Sequence, residues 1–159
     1  MAEALAAVGA VANIVQLVDF GSKVLLRLND FLSNSGRVPK TFQHLQTELR
    51  VLLDALKHTK TAIETGSVPD QTREALRPAI DGCRIQIETL DAVLAKTLPI
   101  LGDSWRKRGI KAISSLYQDG KVKEIRAELY RSIQALTYYH TATSSVLCPT
   151  TGTADKLDA

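Results

Sequence analysis

The sequence predicts an all-α protein, an antiparallel helical bundle of four to five helices. Apolar residues recur at steps of three and four along several long stretches, and no stretch alternates with period two for long enough to form a strand. Aromatic residues make up only 5% of the chain, and the apolar content is mostly Leu, Ala, Val and Ile, which suits helix packing better than a β-sandwich. At 159 residues the chain fits one domain with a sizeable core.

The first helix runs from Ala2 to about Leu32 and carries two apolar seams. One is Val8, Val11, Val15, Val18 and Leu25; the other is Ile14, Leu17, Gly21, Val24, Leu28 and Phe31. A helix apolar on two sides is either central in a bundle or destined for a membrane. No charge occurs from Ala4 to Val18. That run of about 15 residues would span roughly 22 Å of helix, short of the ~30 Å hydrocarbon core. A constitutive transmembrane span is therefore not expected, whereas a conditional one is compatible with the length. Ala2, Ala6 and Ala10, with Gly9 beside them, form a small-residue surface of the kind that allows close helix approach in lipid.

Asn34-Ser35-Gly36 stops the first helix, and Pro39 opens the second in the first-turn position that suits proline. Phe42, Leu45, Leu49, Leu52, Leu56 and Ile63 make a single stripe on the second helix, which the turn formers of Thr65–Asp70 end. The third helix carries Leu76, Ile80, Cys83, Ile87, Leu90 and Leu94. Pro78 disfavours helical geometry at Arg77, so a kink or a late start is expected there. A shorter fourth helix is expected from Ser104 to about Tyr117. A fifth, striped by Val122, Ile125, Leu129, Ile133 and Leu136, should follow the Asp119-Gly120 turn and reach about Ser145. The folded domain is thus expected over residues 1–147, with residues 148–159 as a flexible linker or tail.

Catalytic and cofactor signatures are missing. His44, His58 and His140 are scattered away from other ligand types, and no glycine-rich phosphate loop or nucleophile motif occurs. The expectation is a protein that is not an enzyme and holds no metal or cofactor. Cys83 and Cys148 read as isolated cysteines in a reducing compartment. The N-terminus has Glu3 and no base before Lys23, which fits neither a secretory signal nor a transit peptide, so a cytoplasmic location is expected. The net charge of +3 is too mild to point to nucleic acid.

The charge is unevenly placed. Trp105, Arg106, Lys107, Arg108 and Lys111 form a basic cluster around the only tryptophan. Such a cluster suits anionic lipid headgroups, at about 1 kcal/mol per base near the surface. An acidic protein, with RNA a poorer fit, would suit it as well, and a solvated face with Trp105 in the core reads the same way.

The segments MAEALAAVGAVANIVQLVDFGSKVLLRL, VPKTFQHLQTELRVLLDALKHTK, GCRIQIETLDAVLAKTLP, SWRKRGIKAISSLYQDGKVKEI and LTYYHTATSS resemble the HeLo-like N-terminal domain of fungal STAND proteins, the counterparts of NOD-like receptors. The resemblance covers residues 1 to about 147. It implies a bundle placed ahead of a nucleotide-binding oligomerisation module. In the family, such domains are cell-death effectors whose N-terminal helix, once released by oligomerisation, perturbs the plasma membrane. Carried to this chain, the membrane-insertion candidates are Ala4, Leu5, Val8, Val11, Ile14, Val15 and Val18. The partners implied are anionic membrane lipids, further copies of the chain and the downstream nucleotide-binding module. The alternative is a protein–protein interaction module that signals or oligomerises without entering lipid.

Overall fold

The structure, a computed structural model, describes residues 2–34, 39–97 and 120–146. Its helices are α1 (Ala2–Asn34), α2 (Lys40–Glu64), α3 (Asp70–Thr97) and α4 (Lys121–Val146), and the expected all-α bundle is what the chain forms. The short helix expected over residues 104–117 lies outside the described residues.

Helix directions follow from residue contacts. Asn29 of α1 bonds Gln46 of α2, so the end of α1 meets the beginning of α2. Arg27 pairs with Asp91, placing the ends of α1 and α3 together. Arg126 grips Glu48 near the starts of α4 and α2, while His140 meets His58 near their ends. The chain therefore runs up, down, up, down. Packed neighbours are α1 with α2, α2 with α4, α4 with α3, and α3 with α1. Two of those pairs, α1 with α3 and α2 with α4, are parallel, a consequence of the chain crossing the bundle between α2 and α3.

Each stripe faces the shared core. On α2, all six expected residues are buried, joined by Leu53 and Thr59. On α3, Leu76, Ile80, Cys83, Ile87, Leu90 and Leu94 are buried, and on α4 Val122, Ile125, Leu129 and Leu136 are, with Ile133 half-buried. A fully buried Leu or Ile of this kind contributes about 1.5–3 kcal/mol by leaving water. Phe31 and Phe42 close the core where α1 and α2 meet, with ring centroids 5.6 Å apart.

Local chemistry sets the boundaries. Pro39 is the N-cap of α2, one position before the first turn, and its carbonyl accepts a 3.0 Å bond from the Phe42 amide. Gly66, at φ +70°, ends α2: its amide bonds the Ile63 carbonyl and that of Ser67 bonds the Ala62 carbonyl, the paired pattern of a left-handed glycine cap. Gly120 (φ +69°) precedes α4 and accepts a bond from the Glu124 amide at 3.1 Å. The late start expected at Pro78 does not occur, since α3 begins at Asp70 and continues through the proline. Pro78 and Glu74 both face solvent, so water can serve the Glu74 carbonyl that loses its amide partner.

Candidate functional site

The two seams of α1 have different fates. Ile14, Leu17, Val24, Leu28 and Phe31 are buried, and Gly21 lies between them. The other seam looks outward: Val8 is 66% exposed and Val15 46%, while Val11, Val18 and Leu25 are half-buried along the flank. Leu26, 63% exposed, continues the outer line. Val8, Val15 and Leu26 are spaced by seven and eleven residues, close to two and three helical turns, so they share one direction opposite the core. α1 is thus not a central helix; it is a wall of the bundle with an apolar outer surface.

Charge interrupts that surface at Asp19 and Lys23, where Lys23 Nζ bonds Asp19 Oδ2 at 2.8 Å across one turn, and again at Asp30, one turn beyond Leu26. The 27-residue stretch Ala7–Ser33 is long and apolar enough to cross a membrane, and only 22% of its most apolar 18-residue window (mean hydropathy 1.3) is buried. The continuous helix also exceeds the run of about 15 uncharged residues on which the sequence-based length argument rests.

Of the insertion candidates, Val8, Val11, Val15 and Val18 lie on this outer or flanking surface, whereas Ile14 is fully buried and would meet lipid only after leaving the core. Side chains of Ala4 and Leu5 lie outside the described residues, as do those of Ala2 and Ala6. Close approach within the bundle occurs at Gly21 and not at Gly9. A Cβ on Gly21 would sit 2.6 Å from Leu53 Cδ2 and 3.3 Å from Ile87 Cδ1, whereas one on Gly9 would meet nothing within 4 Å. Ala10 is half-buried against the core. The basic cluster Trp105, Arg106, Lys107, Arg108 and Lys111 lies outside the described residues.

Polar contacts that sequence periodicity did not reveal hold the frame. Arg126 donates to Glu48 through Nε (3.0 Å to each oxygen) and one terminal nitrogen (2.7 Å). This bond to Glu48 raises the Arg126 pKa further, so the guanidinium stays charged. His58 and His140, far apart in sequence, meet edge-on with centroids 6.4 Å apart. Among the described residues, no group of three or more His, Cys, Asp or Glu could hold a metal. Cys83 is buried, and burial pushes its thiol up to about 11 despite a countering bond with Ser132.

A small helical bundle whose first helix carries exposed apolar residues on its outer side is the class these features define. Residues 11–136 match the SesA family, described as an N-terminal domain on NACHT NTPases and P-loop NTPases. The chain belongs to that family, whose members stand as N-terminal domains of STAND-type nucleotide-binding proteins. No curated protein and no solved structure matches it.

Proposed function

We propose that this domain is the membrane-acting effector of a fungal STAND receptor, cytoplasmic at rest and moving to the plasma membrane to promote cell death. Self-association driven by a downstream nucleotide-binding module would bring several α1 helices to one patch of bilayer. The observation that supports this reading is the outward apolar face of α1. It holds a helix of membrane-spanning length against the bundle by one side only. Burial in the bundle and burial in lipid compete for the inner seam, so a modest bias suffices to shift between them. The domain performs no covalent chemistry in this reading, and its work is done by exchanging apolar partners.

Dye release from phosphatidylserine-rich liposomes tests it, using the chain alone and fused to an oligomerising tag. Oligomers are expected to release dye and to bind less when Arg106, Lys107, Arg108 and Lys111 are all replaced by Ser, or when salt is raised. Equal binding by the quadruple variant would remove the cluster from the mechanism.

A second reading has its own support. Val8, Val11, Val15, Val18 and Leu25 follow the 3.5-residue repeat by which helices pack against helices. The face would then recruit a protein partner without lipid. Oligomers that capture a helical partner and leave vesicles intact would favour it.

A further inference from the structure

We propose that copies of this domain join head to tail, the outer face of α1 on one copy docking on the outer face of α4 on the next. This contact specifies the self-association proposed above and rests on that part of the reading; lipid has no part in it. Both faces are marked by what they leave in water. Among the described residues, the exposed large apolar side chains are Val8, Val15 and Leu26 on α1, Tyr130 and Tyr138 on α4, and one each on α2 and α3. Tyrosine is enriched where protein surfaces meet. Lipid accounts for the α1 face alone, whereas a second copy accounts for the α4 face as well.

The placement of the helices makes the contact intermolecular. α1 and α4 each pack against α2 and α3, so they stand at opposite corners of the bundle and their outer faces point away from each other. The two faces cannot meet within one molecule. Between molecules the contact is heterologous: it leaves one α4 face and one α1 face unused at the two ends, and further copies add there into a ring or a filament.

The faces match along their length. On α1 the exposed line Val8, Ala12, Val15, Asp19, Lys23 and Leu26 recurs at steps of three and four. On α4 the line is Ala127, Arg131, Gln134, Tyr138 and Thr141, with Tyr130 beside it. Asn29 with Gln46 and Gly21 with Leu53 set the register of α1 on α2, and Glu48 with Arg126 and His58 with His140 set that of α2 on α4. Through these pairs Leu26 comes level with Tyr130, and Val15 with Tyr138, each to within one helical turn. Copies standing side by side in the same orientation therefore bring an apolar side chain against a tyrosine at both levels. Uncharged stretches coincide too. No Asp, Glu, Lys or Arg occurs from Ala4 to Val18 or from Ser132 to Val146, and both runs lie at the same end of the bundle. Towards the other end, Asp19 and Asp30 outnumber Lys23 on the α1 face, whereas Lys121, Lys123 and Arg131 outnumber Glu124 among the exposed charges of α4. A symmetric contact of α1 with α1 would set acids against acids and leave the tyrosines in water. One helix pair covers less than the ~800 Å² per partner of a stable complex, so the contact is weak alone and takes hold once a downstream module concentrates the copies.

Sedimentation velocity of the full 159-residue chain without lipid, over a concentration series, tests the contact. Wild type is expected to sediment faster as concentration rises. Val15→Glu with Leu26→Glu, or Tyr130→Glu with Tyr138→Glu, should weaken the association by roughly tenfold or more, since charge then enters an apolar contact. Mixed in equal amounts, the two variants should recover a dimer, because each keeps the face that the other has lost. A wild type that stays monomeric at the highest attainable concentration, a folded variant that associates like wild type, or a mixture no heavier than its components would each overturn the proposal. If a variant does not fold, amide NMR shifts of wild type on dilution decide. Val15, Leu26, Tyr130 and Tyr138 should move together while Val51 and Ile85 stay; the opposite pattern contradicts the contact. Association in a chain whose tagged oligomers release no dye refutes the membrane reading and leaves the contact standing, and dye release by tagged oligomers of a chain that never self-associates does the reverse.

Discussion

Gly9 and Gly21 lie on the same helix under opposite constraints. Gly9 is exposed with open space around its missing Cβ, so Gly9→Ala should raise stability by about 0.5–1 kcal/mol, as alanine does in a solvent-facing helix interior. At Gly21 the same methyl would press on Leu53 and Ile87. Overpacking of about 1–3 kcal/mol then outweighs the helix-propensity gain, and Gly21→Ala should destabilise by roughly 1 kcal/mol net. Urea midpoints of the two variants should move in opposite directions. Cys83 gives a residue-level pH dependence. Its thiol, raised by burial from 9.0 to about 11, is protonated in the folded state over a range where the unfolded chain has already lost the proton. The contribution is complete below pH 9 and is lost as pH rises through 11, amounting to about 2–3 kcal/mol. The stability difference between wild type and Cys83→Ala, followed from pH 8 to 11.5, should shrink by that amount. A constant difference would show that the thiol is not held in a water-free site.

Between elements, the clearest polar joint is the Glu48–Arg126 clamp tying the parallel pair α2 and α4. Glu48→Gln should cost about 1–2 kcal/mol, because it leaves a partly buried guanidinium without its carboxylate. Lys57 and Asp54, an exposed pair 3.6 Å apart on α2, should contribute no more than about 0.5 kcal/mol. A double-mutant cycle at each pair, read by chemical denaturation, separates the two cases. The clamp was invisible in the sequence because 78 residues separate its members, and local periodicity carries no information on register between helices. What periodicity does carry is the inward face of each helix. The stripes of α2 and α3 are buried residue for residue, since each helix has a single apolar side and only one way to hide it. Helix α1 has two such sides of similar composition, and nothing local determines which one the neighbours cover. The late start expected at Pro78 does not occur for a related reason: a proline on the solvent side leaves one carbonyl open to water, and the inward stripe continues past it.

At the scale of the molecule, the core formed by the described residues does not draw on the outer surface of α1. That core closes around Ile14, Leu17, Val24, Leu28 and Phe31, and Val8, Val15 and Leu26 add little to it. Stability and the proposed membrane activity should therefore be separable by substitution at those three exposed positions. Glutamine forms helix at least as well as valine, so Val8→Gln, Val15→Gln and Leu26→Gln together should leave the melting temperature within a few degrees of wild type. The same changes remove apolar surface that the proposed membrane mechanism would use, at about 0.3–0.6 kcal/mol for each residue before the added amide is counted. The decisive measurement is dye release from phosphatidylserine-rich liposomes by the oligomerised triple variant, beside its melting curve. The account predicts an unchanged melt with release abolished or greatly reduced; release at the wild-type level from an equally stable triple variant would contradict it.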